Sequence, residues 1–146
     1  SAMGTREARF NTGQLVFSSP YPEVRQFPAI WMAGLTVAVL TGGPMILRTA
    51  LAGDIGHTSA LLVAALFVPT LALFLGVVSG TKKVFEVSYL LIWYLGPVNH
   101  LTALDFLGTT DAAVAAGVPQ AYGVLSAVLL LGAFLFRRRQ MTIGIA

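Results

Sequence analysis

The sequence predicts an all-α fold: a polytopic membrane helical bundle of about four transmembrane helices, with a short re-entrant or interfacial external segment before the last. Three observations carry this. Of the 146 residues, 56% are hydrophobic and only 10% charged, against about 25% charged in a soluble domain, and the mean hydropathy is +0.80. The run from Ala112 to Phe136 carries no charge and ends on Arg137, Arg138 and Arg139. A membrane helix needs about 20 such residues, and its backbone must satisfy its own hydrogen bonds. Finally, the basic residues sit where cytoplasmic anchors are expected.

Residues 1–27 read as a cytoplasmic or interfacial lead-in. Arg6, Arg9 and Arg25 mix with Phe10, Leu15, Val16 and Phe17, and Pro20 and Pro22 interrupt any helix. The opening Ser1-Ala2-Met3 is equally a tag remnant or the interior of a longer protein, and the polar residues that follow it do not lead one to expect a signal peptide here.

The first span is expected over 28–52. Pro28 suits a first helical turn, and Trp31 suits an interfacial position. Gly42-Gly43-Pro44 should kink or break it, and Arg48 near its far end is expected to pair with Asp54. The second span, 59–80, holds Pro69 and Thr70 near its middle. Gly76 and Gly80 form a GxxxG spacing that permits close helix packing, and Lys82-Lys83 mark a cytoplasmic end. The third, 83–96, is short because Gly96-Pro97 stops it; Glu86 lies at helical spacing from Lys82 and Lys83, which predicts a local ion pair with one of them.

The stretch 97–117 is too apolar for an ordinary loop and too polar for a span. It contains Asn99, His100 and Asp105 and, with Gly96 and Pro97 at its start, reads as a folded external cap. The last span is 118–136, anchored by Arg137, Arg138 and Arg139, and 140–146 is a cytoplasmic tail. Alternation from that anchor places both termini in the cytosol. Eight of the nine basic residues then lie inside, Arg48 being the exception. The expected setting is the plasma membrane, of bacterial inner-membrane type, with membrane lipid as a partner. The same placement explains the net charge of +3 without invoking nucleic acid.

Chemistry is sparse. With no cysteine, disulfides, thiolate metal sites and thiol catalysis are excluded. His57, His100, Asp105 and Asp111 fall outside, but no pair has the spacing of HExxH. There is no GxSxG elbow, P-loop or Gly-rich dinucleotide turn. No catalytic, cofactor-binding or metal-ligating residue is assigned, and no cofactor is expected. The central parts of the spans lack the ionisable groups of an ion-coupled pathway. Thr36, Thr41, Thr70 and Ser126 are expected to hydrogen-bond between helices.

Several strings resemble the C-terminal part of an ABC-2-type permease, the membrane subunit of bacterial ABC exporters. They are Ser1-Ala2-Met3-Gly4-Thr5-Arg6-Glu7 with Arg9-Phe10 and Ser18-Ser19-Pro20, then Leu90-Leu91-Ile92-Trp93-Tyr94-Leu95-Gly96-Pro97, and Ala103-Leu104-Asp105-Phe106. The resemblance implies a missing upstream half, a separate cytoplasmic ATP-binding subunit and a second permease half as partners. It also implies short re-entrant helices between the last two spans. Lys82-Lys83 offers too short an internal loop to assign a docking residue. Two other readings stand beside the permease: a small non-catalytic membrane scaffold assembling through Gly76, Gly80 and the cap, and an intramembrane metal-dependent enzyme using His100 and Asp105.

Overall fold

A computed structural model describes residues 22–143, and the side chains of 28–139. Residues 1–21 of the expected lead-in (1–27) and residues 144–146 of the expected tail (140–146) lie outside the described residues. The elements are α1 (Pro22–Leu51), α2 (Ile55–Ser79), α3 (Lys82–Trp93), α4 (Asp111–Ala115) and α5 (Val118–Ile143). A π turn (Tyr94–Val98) and a 3-10 turn (Thr102–Leu104) lie between α3 and α4. No strand occurs among the described residues. The stretches Pro28–Leu51, Ile55–Ser79 and Val118–Arg139 are long and apolar enough to cross a membrane. The chain is an all-α membrane protein.

The bundle is built around α2. More than half of its most apolar window is buried, against none of that of α1. One seam of α2 runs through Ala60, Ala64, Phe67, Leu71 and Ala72 toward α3 and α5, and another through Leu73 and Val77 toward α1 and Ala133. On α5 the buried positions Pro119, Tyr122, Ser126, Ala133 and Arg137 are spaced by three, four or seven residues, the period of one helix face.

Helix directions follow from local contacts. Trp31 meets Thr70 at one end of the α1–α2 pair (Nε1 to Oγ1, 3.0 Å), and Thr49 meets Thr58 at the other (3.0 Å), so these helices are antiparallel. By contrast α2 and α5 run parallel. Gly56 lies against Val114, Gly123 against Val63 and Gly132 against Phe74. Parallel neighbours need a connection that returns along the bundle. Residues 80–117 provide it, climbing through α3 and folding over the start of α2.

Three expectations are corrected here. The span expected over 83–96 is only a twelve-residue helix, continued by the five-residue π turn. That falls short of the about 20 residues a spanning helix needs, so the return is completed by irregular backbone packed on α2 and α5. Pro97 is the local cause: it has no N–H for the carbonyl four residues back. The ladder slips, and the Asn99 N–H donates to the Tyr94 carbonyl five residues back (3.1 Å). Second, α1 is unbroken at Gly42-Gly43-Pro44 and starts at Pro22, six residues before the expected span. Proline at a first helical position keeps a suitable backbone angle. Third, the polar residues of the spans act differently. Thr36, Thr41 and Ser126 donate to their own helices, onto Met32, Val37 and Tyr122 carbonyls at 2.8, 2.9 and 2.7 Å. Of these four only Thr70 bonds another helix, accepting from Trp31 while donating to Leu66 O.

Candidate functional site

The polar side chains expected to be external gather at the end of the bundle where α2 and α5 begin. After α1 the chain turns at Gly53, whose φ of +74° favours a residue without Cβ. Asp54 then caps α2, its Oδ1 accepting from the His57 N–H at 3.1 Å. The imidazole folds back so that Nδ1 lies 2.7 Å from Asp54 Oδ2, and Nε2 lies 3.7 Å from Asp111 Oδ1 at the start of α4. His57 thus joins the α1–α2 turn to the cap. The Asp54 carboxyl is held below its ordinary range, first by the backbone N–H of His57, opposed next by desolvation, with lesser lowering contributions from the imidazole.

This arrangement replaces the expected Arg48–Asp54 pair. Asp54 faces along α2 toward His57, while Arg48 is exposed near the end of α1, and no ion pair joins the two. The other expected pair is present: Lys82 Nζ lies 3.9 Å from Glu86 Oε1, one helical turn away on α3.

Asp105 has a different fate. It is fully buried, and both carboxylate oxygens accept hydrogen bonds. Oδ1 accepts from the Thr109 N–H (3.0 Å), and Oδ2 from Thr109 Oγ1 (2.9 Å), the Thr110 N–H (3.0 Å) and Thr110 Oγ1 (3.0 Å). Four donors on one carboxylate offset its removal from water. Thr110 Oγ1 also accepts from the Ala113 N–H, capping α4. Thr109 and Thr110 were not singled out from sequence, although an Asp followed four and five residues later by two threonines is a local signal for such a turn.

The cap is fixed to the bundle by its neighbour Phe106, also fully buried. Its ring lies 5.5 Å from Phe67, 6.1 Å from Tyr122 and 6.2 Å from Tyr89. Tyr122 donates from α5 to the Ala103 carbonyl at 3.3 Å. Gly96 allows the backbones to close: a Cβ there would fall 2.0 Å from the Leu104 carbonyl oxygen. Pro97 sits inside the π turn, and Asn99 caps it through Nδ2 onto Tyr94 O at 2.5 Å. His100 is exposed with a left-handed φ of +56°. No hydrogen bond or ion pair links it to Asp105, whose oxygens are directed at the two threonines. Among the described residues no group of three or more His, Asp or Glu is arranged to hold a metal ion.

The opposite end is basic. Lys82, Lys83, Arg138 and Arg139 are exposed there, whereas Arg137 is buried, continuing the α2-facing seam of α5. The GxxxG pair divides too. Gly76 is buried in α2, but Gly80 is exposed and ends the helix in a left-handed conformation (φ +66°), donating to Gly76 O. Its role is a C-cap, not helix packing.

No family model matches the chain, and neither a characterised protein nor a solved structure is significantly similar to it.

Proposed function

We propose that the chain is a transmembrane permease module, a fragment of the membrane subunit of an ATP-driven ABC-type exporter. It contributes to a translocation path and relies on a separate cytoplasmic ATPase and a second permease half. The observation that carries this reading is the parallel α2–α5 pair joined by a returning segment that folds into a cap. A re-entrant external connection before the last span is what the permease resemblance implies. In this reading the basic end faces the cytosol, at a plasma membrane of bacterial inner-membrane type, and the Asp54–His57–Asp111 end faces outward.

Amine-reactive crosslinking in native membranes tests it, since Lys82 and Lys83 would lie on the ATPase side. A polypeptide with an ATP-binding motif should be joined to this chain, and deleting the chain should abolish the export that this ATPase drives. Retained export after deletion, with no nucleotide-binding protein crosslinked, would reject the reading. The absence of native cysteine also permits labelling of Asp111→Cys and Arg139→Cys, expected from opposite sides.

A scaffold without transport is the second reading, favoured by α1. That helix packs on α2 and leaves Val37, Leu40, Leu47 and Leu51 exposed, an apolar face that another membrane helix could cover as well as lipid. Co-purification with a complex lacking any ATPase would favour it.

A further inference from the structure

At the capped end one imidazole touches two separate elements, and its two contacts are not equivalent. His57 Nδ1 lies 2.7 Å from Asp54 Oδ2 in the α1–α2 turn, whereas Nε2 lies 3.7 Å from Asp111 Oδ1 at the start of α4. A carboxylate can only accept, so the short contact keeps a proton on Nδ1 and leaves Nε2 as the acceptor of the neutral ring. That acceptor lone pair then faces a second carboxylate, with which it forms no hydrogen bond. A proton on Nε2 turns it into a donor, and the imidazolium attracts both carboxylates at once.

The surrounding backbone brings α4 within reach of that proton. A Cβ on Gly56 would fall 2.9 Å from Val114 of α4, and one on Gly108 would fall 2.5 Å from Ala60 Cβ and 3.3 Å from Val114. The cap is thus seated on the first two turns of α2, beside His57. With five residues, α4 is far below the about 12 at which a helix begins to hold by itself, so its order depends on that seat. Other charged groups of the capped end are committed or set apart. Arg48, in the last turn of α1, forms no ion pair with Asp54. Both oxygens of Asp105 are taken by Thr109 and Thr110, and His100 is exposed on the turn after α3. The first turns of α5 carry no charge. Asp54 and Asp111 are therefore the charged partners of His57.

We infer that His57 is a proton-operated latch, fastening α4 to the α1–α2 turn as the medium at the capped end passes from about pH 8 to pH 5, the interval in which imidazoles take up a proton. In the neutral form α4 rests on the packing of Val114 and the Thr110 cap alone; in the protonated form the Asp111 tie is added. The tie is present at the acid side of the interval and lost as pH rises. Because Asp111 is fully exposed and His57 only 25% exposed, the gain is that of a partly solvated pair. The inference does not depend on the permease reading.

Hydrogen–deuterium exchange of the full chain in detergent, corrected for intrinsic exchange, reads the latch in residues 109–117. Protection there should rise about two- to fivefold from pH 7.5 to pH 5.5, the scale of a partly exposed ion pair, with the middle of α2 unchanged. D111N should abolish the rise while keeping the unaltered chain's protection at pH 7.5, which also shows that the variant is folded. H57Q should hold protection at pH 5.5 near the unaltered chain's pH 7.5 value, and H100Q should keep the full rise. Protection independent of pH in the unaltered chain overturns the proposal. So does a rise that persists in D111N or H57Q, or one that disappears in H100Q.

Discussion

At the capped end, a wholly buried carboxylate accepts four hydrogen bonds and an imidazole lies between two further carboxylates. At the basic end, Lys82, Lys83, Arg138 and Arg139 are exposed at the surface. The difference follows from the backbone each end must accommodate. The cap is irregular chain folded over α2 and α5, and irregular backbone beside a membrane must find its hydrogen bonds within the protein. Asp105 is therefore drawn inward, where it accepts the hydrogen bonds of its own turn. The basic end consists of regular helix termini and one short turn, whose Lys82, Lys83, Arg138 and Arg139 side chains stay at the surface. A polar residue is consequently weak evidence of function at the cap and stronger evidence of interaction at the base.

The sharpest way to break this comparison is Gly96→Ala. The new methyl would meet the Leu104 carbonyl oxygen at 2.0 Å, and backbone there has no flexible end to yield. A loss above about 3 kcal/mol is expected, seen as a large fall in thermal unfolding temperature in detergent. A near-normal melting curve would mean that the cap is loosely seated. Asp105→Ala comes next, at about 3 kcal/mol, because it removes the one acceptor that ties four donors of Thr109 and Thr110 to the cap. Asp105→Asn keeps an acceptor oxygen and should lose less. Equal losses for the two variants would argue against the carboxylate as the organiser of the turn.

A smaller effect is expected between the ends, where Trp31 donates to Thr70 in the bundle interior. Trp31→Phe should cost about 0.6–1 kcal/mol, the range of interhelical hydrogen bonds in membrane proteins. A double-mutant cycle with Thr70→Val reports the coupling directly. No coupling would mean that Trp31 acts through packing alone.

The two ends also differed in how far they could be read from sequence. Charge-free runs and their basic flanks carry a strong signal, because hydropathy acts at the scale of a whole helix. The all-α bundle and the clustering of Lys82, Lys83 and Arg137–Arg139 at one end emerged from that signal. The cap depends on single contacts. Asp105 was considered beside His100 as chemistry, yet it organises its own turn, since which donors reach a carboxylate depends on backbone path. Gly80 satisfied the GxxxG spacing, but the polar Thr81-Lys82-Lys83 immediately after it already marked a helix end. The early end of the helix at Lys82–Trp93 is legible in Gly96-Pro97, although its failure to span is not.

The smallest expected effect concerns Asp54, and it tests which atom of His57 matters. The largest cause of its lowered pKa is the backbone N–H of His57, with the imidazole contributing less. A carboxylate whose folded pKa is depressed stabilises the fold above its unfolded value and loses that contribution as pH falls through the folded one. The N-cap should therefore persist at neutral pH and weaken only in acid below the ordinary value of 3.8. Carboxyl carbon NMR through a titration should show a midpoint under that value. In His57→Ala the backbone amide remains, so the midpoint should rise yet stay below the ordinary value. Full return to 3.8 would assign the effect to the imidazole, making the His57 side chain the principal tie at the cap rather than a bridge added to a helix cap that stands without it.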